Sequence, residues 1–471
     1  MGEYIVTASA FGFKVWPWRH WADCAPDSLA IESDTSLTWQ ALVADVDRQQ
    51  TQFNAAPVVV FDSRLAPQRL VVGLLAAWQA GKITLVLNHA LSDDVKAAVL
   101  AELGEFQWLD CAQNEARGAD AISIASWQPR QPLTMTLTSG STGKPKAVVH
   151  AAHQHLASAA GLTQMLPYQG LSEYEERPSS STDSWLLSLP LFHVSGLAIV
   201  WRWLFKGATL SIFPCQGEAL PESLTRVTHA SLVPTQLYRA LPWLAARQAS
   251  SRLKHVLLGG AVIPARLTQL AEQQGIACWC GYGMTETAST VTLKRADGHD
   301  DVGEPLPYRA VALASDGEVI HRGDTLALGY WQAGRLKALS TEQGLASRDL
   351  ARWETRRQRP VLRIIGRKDN QFICGGENVQ PERIENHLLQ RDEISQVVVV
   401  PVIDHEFGAR PVAIVQSTAQ LDQAQLTAHC HSLAPYQRPI AFLPWPILEQ
   451  GVSIKPSRVK LAQWASQQIE H

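Results

Sequence analysis

Thr136-Leu-Thr-Ser-Gly-Ser-Thr-Gly-Lys-Pro-Lys-Ala-Val-Val-His150 is the stretch around which this chain is organised. The alternating apolar run from Leu133 to Leu137 predicts a strand. A loop of small hydroxyl residues and glycines follows it. Gly140 and Gly143 admit positive φ and let the backbone come close to a ligand. Thr138, Ser139, Ser141 and Thr142 supply hydroxyls, successive amides can form an anion-binding nest, and Lys144 and Lys146 add positive charge. That chemistry suits a polyphosphate. The stretch is not a Walker A loop, because Pro145 stands where that motif begins a helix with Ser or Thr. Taken alone, such a stretch is more often a solvated hairpin turn, so the remaining sequence has to decide.

The 471 residues are enough for about three domain-sized units. With 46% hydrophobic and 18% charged residues, they suit a soluble globular protein with sizeable cores. A net charge of −3 argues against a general nucleic-acid binder, which carries a basic excess. The seven cysteines are scattered with no Cys-x-x-Cys pair, which reads as free thiols in a reducing compartment. The N-terminal residues carry an acid where a secretory signal carries a base, so they read as a loose extension. No apolar run approaches the roughly 20 residues that span a bilayer. The expected place is the cytoplasm, without stable membrane insertion.

Outward from the opening stretch, helical and strand periodicities alternate, which predicts layered α/β architecture. Pro57 to Phe61 and Ile83 to Leu87 read as buried strands, and Leu37 to Asp47 and Val71 to Ala80 as helices. Trp16-Pro-Trp-Arg-His-Trp21 reads as a helix start whose tryptophans pack on the domain. His153 to Met165 predicts a helix, and Gly170 to Asp183 an exposed loop. Trp185 to Gly196 reads as a strand and turn leading into an apolar helix that contains Arg202. Strands are predicted at Ala208 to Phe213 and His229 to Val233, His255 to Pro264 reads as a buried strand running into a glycine turn and a new helix, and a β-rich subdomain is predicted beyond Val302. A polar break at Ile364 to Asn370 separates a final α+β pattern. It has helices at Pro381 to Leu389 and Asp422 to Leu433, and strands at Ile394 to Pro401 and Arg410 to Gln416.

Taken together, the loops are specific. Thr138-Ser-Gly-Ser-Thr-Gly-Lys-Pro-Lys146 and Gly281-Tyr-Gly-Met-Thr-Glu286 are followed in order by Arg348-Asp349, Gly366-Arg-Lys-Asp369, Gly375-Gly-Glu-Asn-Val-Gln-Pro381 and a near-terminal Lys455. Over nearly its whole length the chain resembles the adenylate-forming superfamily of acyl-CoA synthetases, luciferases and peptide-synthetase adenylation domains. The resemblance implies a large N-terminal domain of layered α/β subdomains with a β-rich subdomain (1–366), a hinge (367–370) and a small mobile α+β domain (371–471). It also implies a site for ATP and Mg²⁺. Tyr282 would lie on the adenine between Gly281 and Gly283, Thr285 would bond a phosphate, and Glu286 would hold the metal. Asp349 would take the ribose hydroxyls with Arg367 beside it. Gly259, Gly260 and Ala261 would offer backbone to the adenine edge or acyl pocket, and His193 would gate the acyl and pantetheine channels near Ser195. Lys455 would meet the carboxylate and α-phosphate, with Lys460 as the other candidate because Pro456 departs from the usual spacing. Rotation about Asp369 would bring Gly375 and Gly376 to the CoA channel.

The segments Trp16 to Trp21, Ser188 to Gly196, Trp201 to Leu204, His229 to Leu237 and Cys280 to Gly283 narrow the resemblance to the 2-succinylbenzoate-activating branch, which serves menaquinone biosynthesis. The implied small molecules are 2-succinylbenzoate, ATP and CoA, and a homo-oligomer is compatible with the resemblance. Arg202 stands in a helix otherwise made of Ile, Val, Trp, Leu and Phe. Either it forks onto the spectator carboxylate of that acid, or its stem lies on the surface with its head in water. An aryl- or medium-chain acyl-CoA synthetase is the nearest alternative. A peptide-synthetase module and a non-catalytic nucleotide-binding regulator are further ones.

Overall fold

The run Val58-Val-Val-Phe-Asp62 has no polar face, and it forms a strand buried on both sides. In the computed structural model, residues 11–110, 124–138, 145–171, 182–247, 250–340, 342–446 and 458–469 are described. Val58–Asp62 lies in a seven-stranded sheet. The spatial order is Arg335–Ala338, Gly329–Gln332, Lys146–Ala151, Pro132–Thr138, Ile83–Leu87, Val58–Asp62 and Phe106–Leu109. The last four strands run parallel, and the first three join antiparallel.

A nine-stranded sheet faces it across the main core. Its order is Glu304–Pro305, Ser289–Arg295, Ala277–Met284, His255–Leu258, His229–Leu232, Ser184–Leu186, Thr209–Ser211, Leu29–Glu32 and Leu37–Thr38. The helices Pro67–Gln79, Ala152–Met165 and Val194–Lys206 fill the space between the sheets and are buried on nearly every side. Tryptophans dominate there. Trp78 stacks on Trp201 with ring centres 5.2 Å apart, and Trp39 stacks on Trp203 at 5.2 Å. The predicted aromatic helix is Pro17–Cys24, with Trp18 and Trp21 buried. Thr38 caps the helix Trp39–Gln50 by accepting from Ala41 N at 3.2 Å.

A four-stranded antiparallel sheet, Arg309–Leu313, Glu318–Gly323, Leu345–Arg356 and Arg359–Arg367, forms the β-rich unit. One expectation needs correcting here. The strands Gly329–Gln332 and Arg335–Ala338 lie beyond Val302 in sequence but extend the seven-stranded sheet.

The C-terminal residues build a separate three-stranded sheet from Ile394–Asp404, Gly408–Ser417 and Phe442–Pro444. Val397 and Val399 pack against the helices Pro381–Leu388 and Gln423–His429, while Val398, Val400 and Val402 pack against the helix Arg458–Ile469. The two-residue period of a strand thus covers both faces. The helix expected to run to Leu433 ends at His429 in a tight turn, Cys430–Ser432.

Candidate active site

The parallel strands Ser184–Leu186, His229–Leu232, His255–Leu258 and Ala277–Met284 share one direction, so the segments that follow them gather along one edge. Ligand sites in parallel sheets form at this carboxyl edge. Gly259 adjoins Gly281 there: a Cβ on Gly259 would lie 3.4 Å from Gly281 O. Gly260 follows with φ of 82°.

The nucleotide motifs converge on Tyr282. Its hydroxyl donates to Asp349 Oδ2 at 2.6 Å and lies 3.3 Å from His321 Nε2. Arg367 Nη1 donates to the other Asp349 oxygen at 2.9 Å, and the same guanidinium forks onto Asp369 at 2.9 and 3.0 Å. Burial first, and the Asp349 carboxylate second, push the Tyr282 phenol well above its ordinary range. Arg348, just before Asp349, has a left-handed φ of 65°. A non-glycine residue held there costs on the order of 1–3 kcal/mol, and such strain clusters at functional sites.

A second convergence joins the phosphate-loop strands to Glu286. Thr138 lies opposite Lys146 in the antiparallel ladder, so both ends of the glycine-rich segment meet. Lys146 Nζ sits 5.5 Å from the Tyr330 ring centre, and Tyr330 donates to Glu286 Oε1 at 3.3 Å. Burial pushes the Glu286 carboxyl up, opposed by hydrogen bonds and by the charges of Arg367 and Lys146. Burial and the adjacent carboxylate push Tyr330 up to about 12. Among the described residues no cluster of three His, Cys, Asp or Glu side chains forms a metal cage. A single carboxylate with Tyr330 and Lys146 close by fits Mg²⁺, which keeps waters and is bound by only one or two carboxylates.

On the acyl side, His193 is the residue just before the helix Val194–Lys206, with Ser195 in its first turn. Arg202, two turns on, is 3% exposed. Its guanidinium lies 4.7 Å from the Trp185 ring centre, and Nη1 donates to Ser231 Oγ at 3.1 Å. Trp185 Nε1 donates to the same hydroxyl at 3.2 Å. Burial lowers the Arg202 pKa to about 9. The surface alternative for Arg202 is therefore excluded: its head is enclosed, and no carboxylate among the described residues pairs with it.

In the C-terminal sheet region, Gly375 and Gly376 form the turn between Phe372–Cys374 and Glu377–Val379, with φ of 58° and 84°. Asp369 lies in the turn Lys368–Asn370, and Lys460 is on an exposed face of the terminal helix. Ser139, Gly140, Ser141, Thr142, Gly143, Lys144 and Lys455 lie outside the described residues, as do most of the Gly170 to Asp183 segment and the first ten residues.

A sequence model of the AMP-binding enzyme family matches residues 93–331. The 2-succinylbenzoate–CoA ligase of Salmonella typhimurium is 41% identical over 475 residues, covering 98% of this chain and 100% of that protein. The Haemophilus influenzae ligase of the same name is 38% identical, covering 97% and 100%. The chain belongs to the 2-succinylbenzoate–CoA ligase family. A solved arginine-to-lysine variant of Escherichia coli MenE with bound OSB-AMS, 38% identical, superposes with a TM-score of 0.83 over 97% of this chain and 99% of that one. A Bacillus subtilis MenE in complex with the acyl-adenylate OSB-AMP, at 23% identity, shares the fold with a TM-score of 0.80, covering 95% and 98%.

Three residues of this 2-succinylbenzoate–CoA ligase family member escaped the sequence analysis. Tyr330 reaches Glu286 because its strand pairs with Lys146–Ala151, far away in sequence. His321 reaches Tyr282 from the β-rich unit. Ser231 lies within the segment His229 to Leu237, and its bond to Arg202 depends on how a strand lies against a helix.

Proposed function

We infer that this chain activates 2-succinylbenzoate with ATP and transfers the acyl group to CoA, giving 2-succinylbenzoyl-CoA, AMP and pyrophosphate, in menaquinone biosynthesis. Whole-length kinship with 2-succinylbenzoate–CoA ligases carries this reading. In the first step a carboxylate oxygen of the acid attacks the α-phosphorus, and pyrophosphate leaves. In the second the CoA thiolate attacks the acyl carbon, and AMP leaves. Catalysis of the first step is mainly positioning and charge neutralisation.

The residues divide this work. Thr138 to Lys144 and Lys146 cradle the phosphates with Thr285. Tyr282, Gly281 and Gly283 hold the adenine, and Asp349 with Arg367 the ribose. Glu286 holds Mg²⁺, which when bound neutralises charge on the phosphates. Lys455 meets the α-phosphate and the reacting carboxylate. His193, Ser195 and Gly259 to Ala261 shape the acyl pocket. Arg202 supports the choice of acid, because a buried guanidinium needs an anion and 2-succinylbenzoate has a second carboxylate to offer. Residues 1–366 and 371–471 act as two domains about a hinge at 367–370. Rotation there brings Gly375 and Gly376 toward the thiol channel.

No described helix is long and apolar enough to cross a membrane. We assign the chain to the cytoplasm, working on small molecules and without nucleic acid. Acid-dependent ATP–pyrophosphate exchange, followed by CoA-dependent AMP release, tests the reading. 2-Succinylbenzoate is expected to support both reactions and benzoate or octanoate neither. Preference for an aryl or medium-chain monocarboxylate would overturn it in favour of another acyl-CoA synthetase.

A further inference from the structure

One partly buried charged cluster has no part in the chemistry above. Arg458 opens the terminal helix Arg458–Ile469. Its Nη1 lies 2.7 Å from Glu385 Oε1, and its Nη2 donates to Oε2 at 2.9 Å. Nη1 also donates to Val399 O at 2.7 Å, and Nη2 lies 3.5 Å from Glu382 Oε1. Glu385 Oε1 accepts a further bond from Val399 N at 2.7 Å. The side chains of Glu385 and Glu382 are only 5% and 13% exposed. Glu382 in turn accepts from Asn370 Nδ2 and Gln380 Nε2, and Gln380 Nε2 donates to Arg367 O at 3.3 Å. Asn370 closes the turn Lys368–Asn370. One polar network therefore runs from the hinge turn to the first residue of the terminal helix.

Net stability is a poor reason for such a cluster, since replacing a buried ion pair by packed apolar groups is often neutral or stabilising. Its geometry offers another. Lys455 precedes Arg458 by three residues (458 − 455), and three residues of chain span at most about 11 Å. Fixing Arg458 against the hinge fixes one end of the tether that carries the lysine. We propose that Arg458 is a positioning residue for adenylate formation, registering the Lys455 tether against the hinge through Glu385 and Glu382. The proposal rests on the assignment of Lys455 made above. The planar fork of arginine reaches two carboxylates and a carbonyl at once, which an ammonium cannot reproduce.

The test measures single-turnover adenylate formation and thioesterification of supplied acyl-adenylate separately, with thermal midpoints, in the full-length enzyme. Arg458→Gln is expected to slow adenylate formation on the order of 10- to 100-fold, as a displacement of about 1 Å does, and to leave thioesterification within about threefold of native. Arg458→Lys should recover part of that loss. Because Arg458→Gln strands a buried carboxylate and can unfold the small unit, Glu382→Ala provides a second arm. It cuts the link to the hinge, keeps the Arg458–Glu385 pair, and should lower adenylate formation selectively with an unchanged midpoint. Equal loss in both half-reactions in step with the midpoint makes the network structural and overturns the proposal. Native adenylate formation in Arg458→Gln and Glu382→Ala also overturns it. Lys455→Ala is run alongside: if it spares adenylate formation, the lysine assignment itself fails and the proposal falls with it.

Discussion

Arg202 is a cation held at 3% exposure with a serine hydroxyl as its hydrogen-bond partner. Removing one partner of a desolvated, hydrogen-bonded charge pair costs about 2–5 kcal/mol. Arg202→Ala is therefore expected to lower kcat/KM for 2-succinylbenzoate on the order of a hundredfold or more, with ATP affinity nearly unchanged. Arg202→Lys should rescue poorly. An analogue lacking the benzoate carboxylate is the control, and a mutant that keeps the native preference for the dicarboxylate would make Arg202 structural. Tyr330 offers a different readout. Burial raises the Glu286 pKa, and the Tyr330 hydrogen bond works against that rise. As pH falls through the raised pKa, Glu286 takes a proton and would no longer hold the metal proposed there, so kcat/KM for MgATP should show an acid limb. Tyr330→Phe removes a lowering influence, so the limb should move to higher pH. A limb that stays in place would place Tyr330 outside the metal site.

At the scale of elements, the strand Ala277–Met284 shows how tightly the site is built into the sheet. A Cβ on Gly283 would lie 1.8 Å from Ser289 O, in a ladder that already shifts register between Tyr282 and Gly283. Gly283→Ala should lower the thermal midpoint and ATP affinity together, because the turn cannot close without moving Ser289. Gly259→Ala meets only an ordinary 3.4 Å contact and should keep native stability. A stable Gly283→Ala enzyme with native ATP affinity would show that the turn can give. Elements such as Val58–Asp62 and Pro67–Gln79 were legible in sequence, because an unbroken apolar run of given length allows few structures. So were the motif residues Tyr282, Asp349 and Arg367, whose order along the chain is distinctive. Tyr330 and His321 were not. They enter the site through pairings between distant strands, and neither their spacing nor their neighbours in sequence records that approach. Arg202 was visible as an anomaly, but only packing decides whether such an arginine is enclosed or reaches water.

For the molecule as a whole, the turn at Lys368–Asn370 is linked on both sides. Arg367 bonds to Asp349 in the β-rich unit, and Asn370 bonds to Glu382 in the C-terminal unit. The rotation proposed between the two units would have to be absorbed within those few residues. Asp369→Pro fixes φ near −65°, so adenylate formation should survive while CoA transfer falls. The structure adds a necessary control, because Asp369 also receives the fork of Arg367. Asp369→Ala loses that fork without restricting φ, so it should retain more CoA transfer than the proline variant. Stopped-flow measurement of thioester formation separates the two, and native CoA transfer in Asp369→Pro would place the pivot elsewhere.

The guanidinium of Arg202 rests against the indole of Trp185. An indole's excited-state dipole responds to a full charge at van der Waals range, so this contact is a built-in optical probe. When a carboxylate settles on Arg202, the field across Trp185 is partly cancelled, and its emission wavelength has to change. Trp243 and Trp279 also lie near guanidinium groups, those of Arg247 at 4.0 Å and Arg295 at 5.8 Å, so a variant without Trp185 is needed to isolate this contact. A fluorescence titration with 2-succinylbenzoate should therefore show a saturable spectral shift in the absence of ATP and CoA. Trp185→Phe should abolish the shift. An identical shift in that variant would mean that the acid does not dock beside Arg202.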